Sequence, residues 1–532
     1  MRMKKIHYPM LLLGGVMLTT SCVDDKYDLS DIDTTTAIKI DNLTVPVKLN
    51  TIILDDVLDI EEDGLIGRYP VDASPENQYY AIKKSGDFEA DPIYLDMLKA
   101  ESYTAAPSFT IPVVGNYIDK VTGEFSYLIS SVDESLQSLS YFGLWREDYM
   151  KVNLTVYPSN VNLSDVEIII PSTFTAEYKG NSFDNGIIPV NIKDGSLDEP
   201  IFVTSMMFDN IRPDDDRKLN ITGQIGVNSA SISGYTGDLT IGFSMSPFTV
   251  NVVSGSINYE VQAPEINPVE LTDLPDFLTE GETNLILMNP QIYLNLGYVN
   301  GANYRTEMSI VPNGKNTKPI ENLALLFNQS LVLAADINNL GLHLYDSPTL
   351  TEVEDLRYIL SGEGLPESIN FSFENTYVTG EINDLILGED KYISGGYTFF
   401  APLSFAEGSQ IIYRKAENDF FGDDMEDVKV SRFRIESDAV SELPADVTLT
   451  LYPLDRDGNR IQGKNGYVSA STTVAHGTSR LELEITEEFN GLDGVEYIVT
   501  AENMKGVSLS PSQTLTLNNI RATLSGEYIT KL

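Results

Sequence analysis

Cysteine, tryptophan and histidine are scarce in this chain of 532 residues, which has one Cys, one Trp and three His. A single cysteine allows no internal disulfide, so apolar cores must stabilise the folded part. Beyond the first twenty residues the only histidines are His343 and His476, too few for a three-histidine zinc site. The Gly-x-Ser-x-Gly, Ser-x-x-Lys and phosphate-loop motifs are also missing, which excludes the enzyme classes that carry them.

Basic residues are few as well. The chain has 35 Lys+Arg against 79 Asp+Glu, a formal net charge of −44. Residues 1–21 hold three of the basic residues and none of the acidic ones, so the remainder has a charge of −47. This excess argues against a nucleic-acid partner and against charge-driven docking on anionic lipid. With 42% hydrophobic residues the chain is not a disordered acidic protein, and its length suits two to four domains.

The N-terminus has the organisation of a secretory signal. A basic start is followed by an apolar run from Pro9 to Leu18 and by small residues up to Cys22. Ten apolar residues are too few to span a bilayer. Cys22 directly after small residues resembles a lipobox, with Thr19 where leucine is preferred. We therefore predict a lipoprotein signal peptide over residues 1–21 and acylation of Cys22, for example by palmitate, with membrane lipid as the partner. The alternative is an ordinary secreted protein with one cysteine near its cleavage site.

Residues 22–44 are polar and acidic, which is typical of a flexible tether. Asp24 and Asp25 resemble the acidic export signal of surface-exposed Bacteroidetes lipoproteins, and Asp33-Thr34-Thr35 resembles an O-glycosylation sequon of that phylum. This resemblance implies an outer-membrane, lipid-anchored protein exposed at the cell surface, with Asp24 and Asp25 as export signal and Thr34 as glycosylation site. The remainder resembles large uncharacterised β-rich lipoproteins of gut Bacteroidales, which implies no mechanism.

From Val45 onward apolar residues alternate with polar ones, as in Val152–Pro158 and Val447–Pro453. Turn residues interrupt these runs at intervals of about 8–12 residues, a pattern typical of antiparallel sandwiches. The sequence thus predicts an all-β protein with several antiparallel β-sandwich, Ig-like domains and a few short helices. The predicted helices are Ser131–Leu139, Leu274–Leu278 and Leu350–Leu360.

We predict a β-rich region of one or more domains over residues 45–265, a β-rich domain over 266–440 and an Ig-like sandwich over 441–532. Two prolines interrupt the strand pattern in Ala263–Val269, which suggests the first boundary. The segment from Leu443 to the C-terminus has the length of one sandwich, so we expect it to fold alone, with a last strand near Ile520–Leu532. Recurring strand motifs fit either domain duplication or repeated solutions to one packing problem.

Candidate chemistry is limited. Glycosidases need two carboxylates, but 79 acidic residues prevent the choice of a pair. Trp145, in Tyr141-Phe-Gly-Leu-Trp, could stack on a sugar ring, although the spacing of Tyr141, Phe142 and Trp145 favours a helical turn facing the core. We therefore assign no catalytic residue.

No cofactor or metal is expected. Asp455-Arg-Asp457-Gly-Asn459 resembles the start of a calcium loop, but Arg460 and Gly466 replace the required Gly and Glu, so a hairpin turn is favoured. Two other acidic clusters, Asp214–Asp216 and the residues around Asp423, are interpreted as solvated loop tips, and binding of a structural cation is the alternative.

The predicted function is a non-enzymatic binding or structural role at the outer-membrane surface, with a glycan or a surface protein as candidate partner. A fimbrial or pilus-type subunit is one alternative, for which Arg68 is the nearest basic processing site. An extracellular hydrolase using paired carboxylates is the other.

Overall fold

The computed structural model describes residues 35–45 and 52–531, except 63, 72, 73, 103, 315, 316, 339, 345, 348, 419–424, 426, 505 and 507. Strands make up 62% of the chain and helices 3%, so the predicted all-β fold is confirmed. Within the described ranges no helix is both long enough and apolar enough to cross a membrane.

The strands up to residue 260 are short to medium in length, with a few long ones. They are β1 Thr35–Val45, β2 Ile52–Ile53, β3 Ile66–Val71, β4 Ser74–Ile93, β5 Leu98–Ser102, β6 Ser108–Pro112, β7 Tyr117–Ile118, β8 Val121–Ile129, β9 Leu136–Gly143, β10 Met150–Tyr157, β11 Asn162–Ile169, β12 Phe174–Tyr178, β13 Asn181–Phe183, β14 Ile187–Val190, β15 Ile192–Lys193, β16 Ser196–Leu197, β17 Ile201–Ile211, β18 Leu219–Ser233, β19 Asp238–Met245, β20 Phe248–Val250 and β21 Val252–Glu260.

Ten further strands follow before residue 403. They are β22 Val269–Glu270, β23 Asn284–Leu285, β24 Gln291–Leu296, β25 Asn303–Asn313, β26 Ile320–Phe327, β27 Ser330–Ala334, β28 Leu350–Glu352, β29 Gly362–Glu363, β30 Ser368–Ile386 and β31 Lys391–Pro402. The last group is β32 Ile411–Glu417, β33 Val428–Ser441, β34 Asp446–Leu454, β35 Ala470–Val474, β36 Gly477–Ile485, β37 Gly494–Glu502 and β38 Thr514–Lys531. The helices are α1 Leu54–Val57, α2 Asp276–Thr279 and a 3-10 helix over Glu354–Tyr358.

The alternating sequence pattern corresponds to alternating burial. In β10 the side chains of Met150, Val152, Leu154 and Val156 are buried, and those between them are more exposed. Successive side chains of a strand point to opposite faces, so this alternation places one apolar face on the core.

The helix predictions are partly wrong. Ser131–Leu139 was expected to be helical, but its second half belongs to β9, which pairs with β17 and β21. Cross-strand pairing on both sides outweighs a weak local helix preference. In the other two segments, α2 lies at the end of Leu274–Leu278, and Leu350–Leu360 contains β28 and the 3-10 helix.

Three sheets form most of the molecule up to about residue 410, which we call the body. The large sheet has the order β15-β16-β10-β17-β9-β21-β30-β25-β26. The other two have the orders β14-β11-β18-β8-β5-β20 and β28-β27-β24-β31-β4-β3. One continuous apolar core joins them. Because β21 pairs with β30 and β4 with β31, the predicted division at 265/266 does not coincide with a division between sheets.

The C-terminal sandwich consists of two sheets around a separate core. One has the order β1-β38-β33-β36, with β2 also on β38, and the other has β32-β37-β34-β35. This unit is larger than residues 441–532, because β32 and β33 precede that segment and β1 comes from residues assigned to the tether. Since β33 lies between β38 and β36, the segment from Leu443 onward lacks the strand that joins them.

The first and last described strands pair with each other. Residues Thr35 to Val45 run antiparallel to β38, with a bulge between Ile40 and Leu43. The predicted C-terminal strand is therefore present, and β38 is paired on both sides, with β1 and with β33.

Candidate functional site

The residues predicted to anchor and export the protein, Cys22, Asp24 and Asp25, lie outside the described residues, as does Thr34. The described chain starts at the next residue, Thr35, in β1. The anchoring, export and glycosylation assignments therefore stay predictions.

The predicted helical turn around Trp145 is wrong. Phe142 is fully buried in β9, its neighbour Tyr141 is half-buried on the opposite face, and β9 ends at Gly143. Trp145 follows in a turn closed by the Asp148 N–H donating to the Trp145 carbonyl over 2.8 Å, and its side chain is 41% exposed. In a strand, residues one apart face opposite sides, so the three aromatic residues do not share a core-facing surface.

The turn is fixed by Asn251, a fully buried residue at the point where the chain passes from β20 in one sheet to β21 in another. Its Oδ1 accepts from the Trp145 N–H over 2.7 Å, and its Nδ2 donates to Asp148 Oδ2 over 2.8 Å. Its backbone N–H donates to Gly143 and its carbonyl accepts from Leu387. A buried amide is stabilising only when its polar atoms are satisfied, and here they join separate segments of the chain.

Three chain segments meet at Asn251 and carry large apolar side chains that are exposed. Asn251 Nδ2 also lies 3.4 Å from Met97 Sδ, and Gly388 N–H donates to the Leu95 carbonyl over 2.7 Å. Ile386 is paired with Val252, next to Asn251. We define the Trp145 surface as Met97, Trp145 and Ile386, each between 40% and 43% exposed.

The Trp145 surface offers a flat aromatic ring and apolar contact area on a supported backbone. Trp and Met side chains supply large contact area in recognition sites, and a buried anchor for the loop lowers the entropy lost on binding. The surface is therefore suited to stacking and apolar contact with a ligand.

The carboxyl groups with a shifted pKa are not part of the Trp145 surface, and in each of them the pKa is lowered. Lys179 hydrogen-bonds Asp198 and lowers the pKa of that carboxyl. Arg480 lowers the pKa of Glu436, and Lys429 lowers the pKa of Glu488. All three are held ionised, whereas the general acid of a glycosidase needs a raised pKa.

The calcium-like sequence forms the predicted turn. Asp455 Oδ1 accepts the backbone N–H groups of Asp457 and Asn459, at 3.0 and 2.8 Å. The carboxylate is thus used within its own turn, as in other Asx turns.

The second acidic cluster is a loop in which Asp214 Oδ1 accepts from the Lys218 N–H and Asp216 pairs with the Lys218 ammonium. Asp423 lies outside the described residues. In the part of the chain that is described, no group of three or more His, Cys, Asp or Glu side chains could hold a metal ion.

The histidines and the predicted processing site have local roles. His343 contacts the Gly341 carbonyl and Asp346, and His476 is exposed. Arg68 lies within β3 and pairs with Asp55, whose Oδ1 also accepts the Tyr80 hydroxyl at 2.5 Å. This triad ties α1 to the strands β3 and β4.

Sequence reasoning missed Asn251. The sequence did contain an indication of a special position, because the polar Asn251 interrupts the apolar run Phe248–Val253. Alternation alone places Asn251 on a solvent-facing side, and only the passage between two sheets makes it buried.

No family model and no curated protein matches the chain. Among solved structures it is similar to a protein of Parabacteroides distasonis that carries only the general description of a secreted protein. The match covers 50% of this chain and 82% of that one, with 15% identity and a TM-score of 0.36. A likeness this weak assigns neither fold nor function.

Proposed function

We propose that this protein is a non-enzymatic, lipid-anchored outer-membrane protein, displayed at the cell surface, that binds a glycan through the Trp145 surface. The observation that carries the proposal is the exposed Trp145 side chain on a turn held by the buried Asn251. Keeping a large apolar ring in water costs free energy unless a ligand covers it, and the hydrogen bonds of Asn251 keep the turn ready for one.

A glycan is favoured because the apolar face of a sugar ring stacks on an indole. Polar groups at the rim would orient its hydroxyl groups, and Asp148 and Glu147 lie within the same turn. A surface protein is the competing ligand class, and the binding experiment distinguishes the two.

The anchor follows from the leader. Acylation of Cys22 supplies the location, and the acidic residues before Thr35 supply reach. We expect Cys22→Ala to move the protein out of the membrane fraction, measured by detergent partitioning. Wild-type membrane retention would contradict the lipoprotein assignment.

Display at the cell surface is tested separately. Replacing Asp24 and Asp25 by Ala should keep lipidation but remove digestion by protease added to intact cells. Unchanged digestion would leave both residues as ordinary tether residues.

Binding is tested on a glycan array with a fragment of residues 35–532, which keeps β1 on its sheet. Trp145→Ala should abolish binding of any glycan that the unmodified fragment retains, with melting temperature unchanged. The matched control is Tyr392→Ala, because Tyr392 is 72% exposed and lies outside the Trp145 surface. Equal loss in both variants, or glycan binding that survives Trp145→Ala, would contradict the site. Capture of a surface protein without any glycan would replace the ligand class.

The two alternative functions, a fimbrial subunit and an extracellular hydrolase, gain no support from the described residues. A spare C-terminal strand would favour a fimbrial subunit, but β38 is paired on both sides, and Arg68 is ion-paired within β3. For a hydrolase, a carboxyl with a raised pKa would be the first indication, and the displaced carboxyls named above are lowered instead.

A further inference from the structure

The large sheet ends at β26, and among the described residues no strand pairs with the outer side of β26. Its second half, Leu323–Phe327, reads Leu-Ala-Leu-Leu-Phe and contains no charged residue and no proline. An edge strand of this kind presents unpaired backbone N–H and C=O groups to the solvent.

Several other outermost strands of the molecule are protected against such pairing, whereas β35, with the sequence Ala-Ser-Thr-Thr-Val, is a polar edge without charge or proline. β1 carries Lys39 and Asp41 beside a bulge, and β36 carries Arg480, Glu482 and Glu484. Charges, bulges and prolines are the usual means of preventing strand addition at an edge. In β26 a bulge at Asn322 and the charge of Glu321 protect only the first half of the strand against pairing with an added strand.

In the second half of β26, buried and exposed side chains alternate between the two faces of the sheet. Leu325 and Phe327 are buried, whereas Ala324 is exposed and Leu326 is 61% exposed. An apolar side chain therefore stands in water beside the open edge, in position to contact an outward-facing residue of an added strand.

Two carboxylates lie behind Ala324 on the same face. Ala324 is paired with Glu307 on β25, and Glu307 is paired with Glu374 on β30. Glu307 accepts from the Asn375 amide over 2.9 Å. The neighbouring cation on this face, Arg305, stacks on the Tyr377 ring, and among the described residues neither Glu307 nor Glu374 forms an ion pair. Like charges directly opposite one another destabilise a sheet, so a cation placed nearby is favoured.

Distance allows an added strand to provide that cation. Strands are spaced about 4.8 Å apart, so a residue opposite Ala324 would be two strands from Glu307, roughly 10 Å. A lysine side chain spans most of that distance, and the methyl group of Ala324 does not obstruct it.

We propose that the edge of β26 is a strand-addition site for an extended segment of a partner protein, with a cationic side chain opposite Ala324 and an apolar side chain opposite Leu326. Backbone hydrogen bonds to Leu323–Phe327 would supply affinity, and Glu307 and Glu374 would supply charge selectivity. The site is separate from the Trp145 surface, so its failure would leave the glycan proposal untouched.

The first test uses a synthetic peptide, fluorescein-Thr-Ile-Thr-Lys-Thr-Ile-Thr-amide, titrated with the residue 35–532 chain and followed by fluorescence anisotropy. We expect saturable binding that is lost when the peptide backbone is N-methylated at alternate residues, because methylation removes the N–H donors. Equal binding of the methylated peptide would overturn the proposal, as would the absence of binding by the unmodified peptide at millimolar concentration.

The second test locates the site. Leu326→Lys places a charge on the edge and should weaken binding of the lysine peptide at least about tenfold, since edge charges block pairing. Val114→Lys makes the same charge change at a side chain 87% exposed elsewhere and should have no effect. Equal weakening by both variants would show that charge repulsion, not the edge, controls binding.

The third test concerns charge selectivity. The lysine peptide should bind better than its glutamate counterpart, by about tenfold or more, a difference typical of charge pairs that are partly desolvated. In a Glu307→Gln, Glu374→Gln variant this preference should fall to within a factor of about three. Undiminished preference would overturn the role of the two carboxylates.

Discussion

The C-terminal sandwich and the body differ in how their charged side chains are paired and in which residues occupy their edge strands. On the outer face of the sandwich, Arg434 pairs with Glu436 and Glu482, and Arg480 pairs with Glu436. In the large sheet of the body, by contrast, Glu307 and Glu374 stand opposite each other, and β26 leaves an apolar edge open.

The two units differ at particular strands rather than throughout, since the sandwich also exposes Ile38 and Leu43 on β1. The sandwich joins the two ends of the described chain, β1 and β38, and its outermost strands β1 and β36 carry charged residues. The body keeps exposed apolar side chains at the Trp145 surface and at Leu326. Surfaces that are kept apolar against the cost of exposure are expected to bind partners. The following predictions test whether the two units differ in this way.

The largest effect concerns the independence of the sandwich. We expect residues 408–532 to melt cooperatively and residues 443–532 not to, because the shorter fragment lacks β33 and its buried Phe433 and Ile435. Loss of even one large buried side chain costs about 2–5 kcal/mol, against a total stability of roughly 5–15 kcal/mol. Far-UV circular dichroism with thermal melting measures this. A cooperative melt of 443–532 would restore the smaller domain that the sequence alone predicts.

The next effect lies in the body. Asn251→Ala removes the acceptor of the Trp145 N–H and the donor to Asp148, which should cost about 1–3 kcal/mol because buried polar groups lose partners. Since Trp145 is the only tryptophan, its fluorescence reports the release of the turn directly. Asn220→Ala, at an exposed position, is the control. An unshifted spectrum with unchanged stability would mean that Asn251 does not hold the turn.

Alkaline pH should destabilise the body, and also the sandwich, where burial raises the pKa of Tyr497 in β37. Burial, with smaller contributions from Tyr293 and Tyr69, raises the pKa of Tyr79 to about 12. A raised folded-state pKa means stability that is complete below pH 10 and is lost as pH rises from 10 towards 12, by about 1.4 kcal/mol per unit. Burial also raises the pKa of Tyr127 and Tyr304 in the body.

The measurement is urea unfolding between pH 9 and about 11.5. We expect the transition of the body to weaken with pH, and Tyr79→Phe should flatten that dependence. An unaltered slope in the variant would show that Tyr79 is not responsible.

The smallest expected effect is on the stability contributed by the ion pairs on the outer face of the sandwich. Hydrogen bonding from Arg480, together with the charge of Arg434, lowers the pKa of Glu436. A lowered folded-state pKa gives stability above the unfolded pKa that is lost as pH falls through the folded value. Glu436→Gln should therefore slightly reduce the stability of the sandwich at neutral pH, with a difference that shrinks at pH 3 and in high salt. Melting at 0.05 and 1 M NaCl tests this, and a salt-independent loss would indicate a packing defect instead.

The two units also show which features of the fold can be predicted from the sequence. Alternation in Val152–Pro158 and Val447–Pro453 correctly predicts strands with one buried face. Turn chemistry correctly predicts the turn at Asp457-Gly458. Such features are read well because they depend on residues within a few positions of each other.

Sequence reasoning failed where distant segments decide the outcome. Tyr141, Phe142 and Trp145 have a spacing that suits a helix, and only pairing with β17 and β21 makes that segment a strand. The same applies to the sandwich, whose central β33 lies outside the segment with the clearest domain-like pattern.

The sequence by itself determined the strand content and the turns, because these depend on local patterns of residues. The tertiary structure alone decided that the first and last described strands meet in one sheet, that Asn251 is buried beneath the Trp145 turn, and that β26 is an open edge among the described residues. Each of these depends on which strands become neighbours. Strand partners far apart in the chain are selected by the packing of the whole core, which no local stretch of residues encodes.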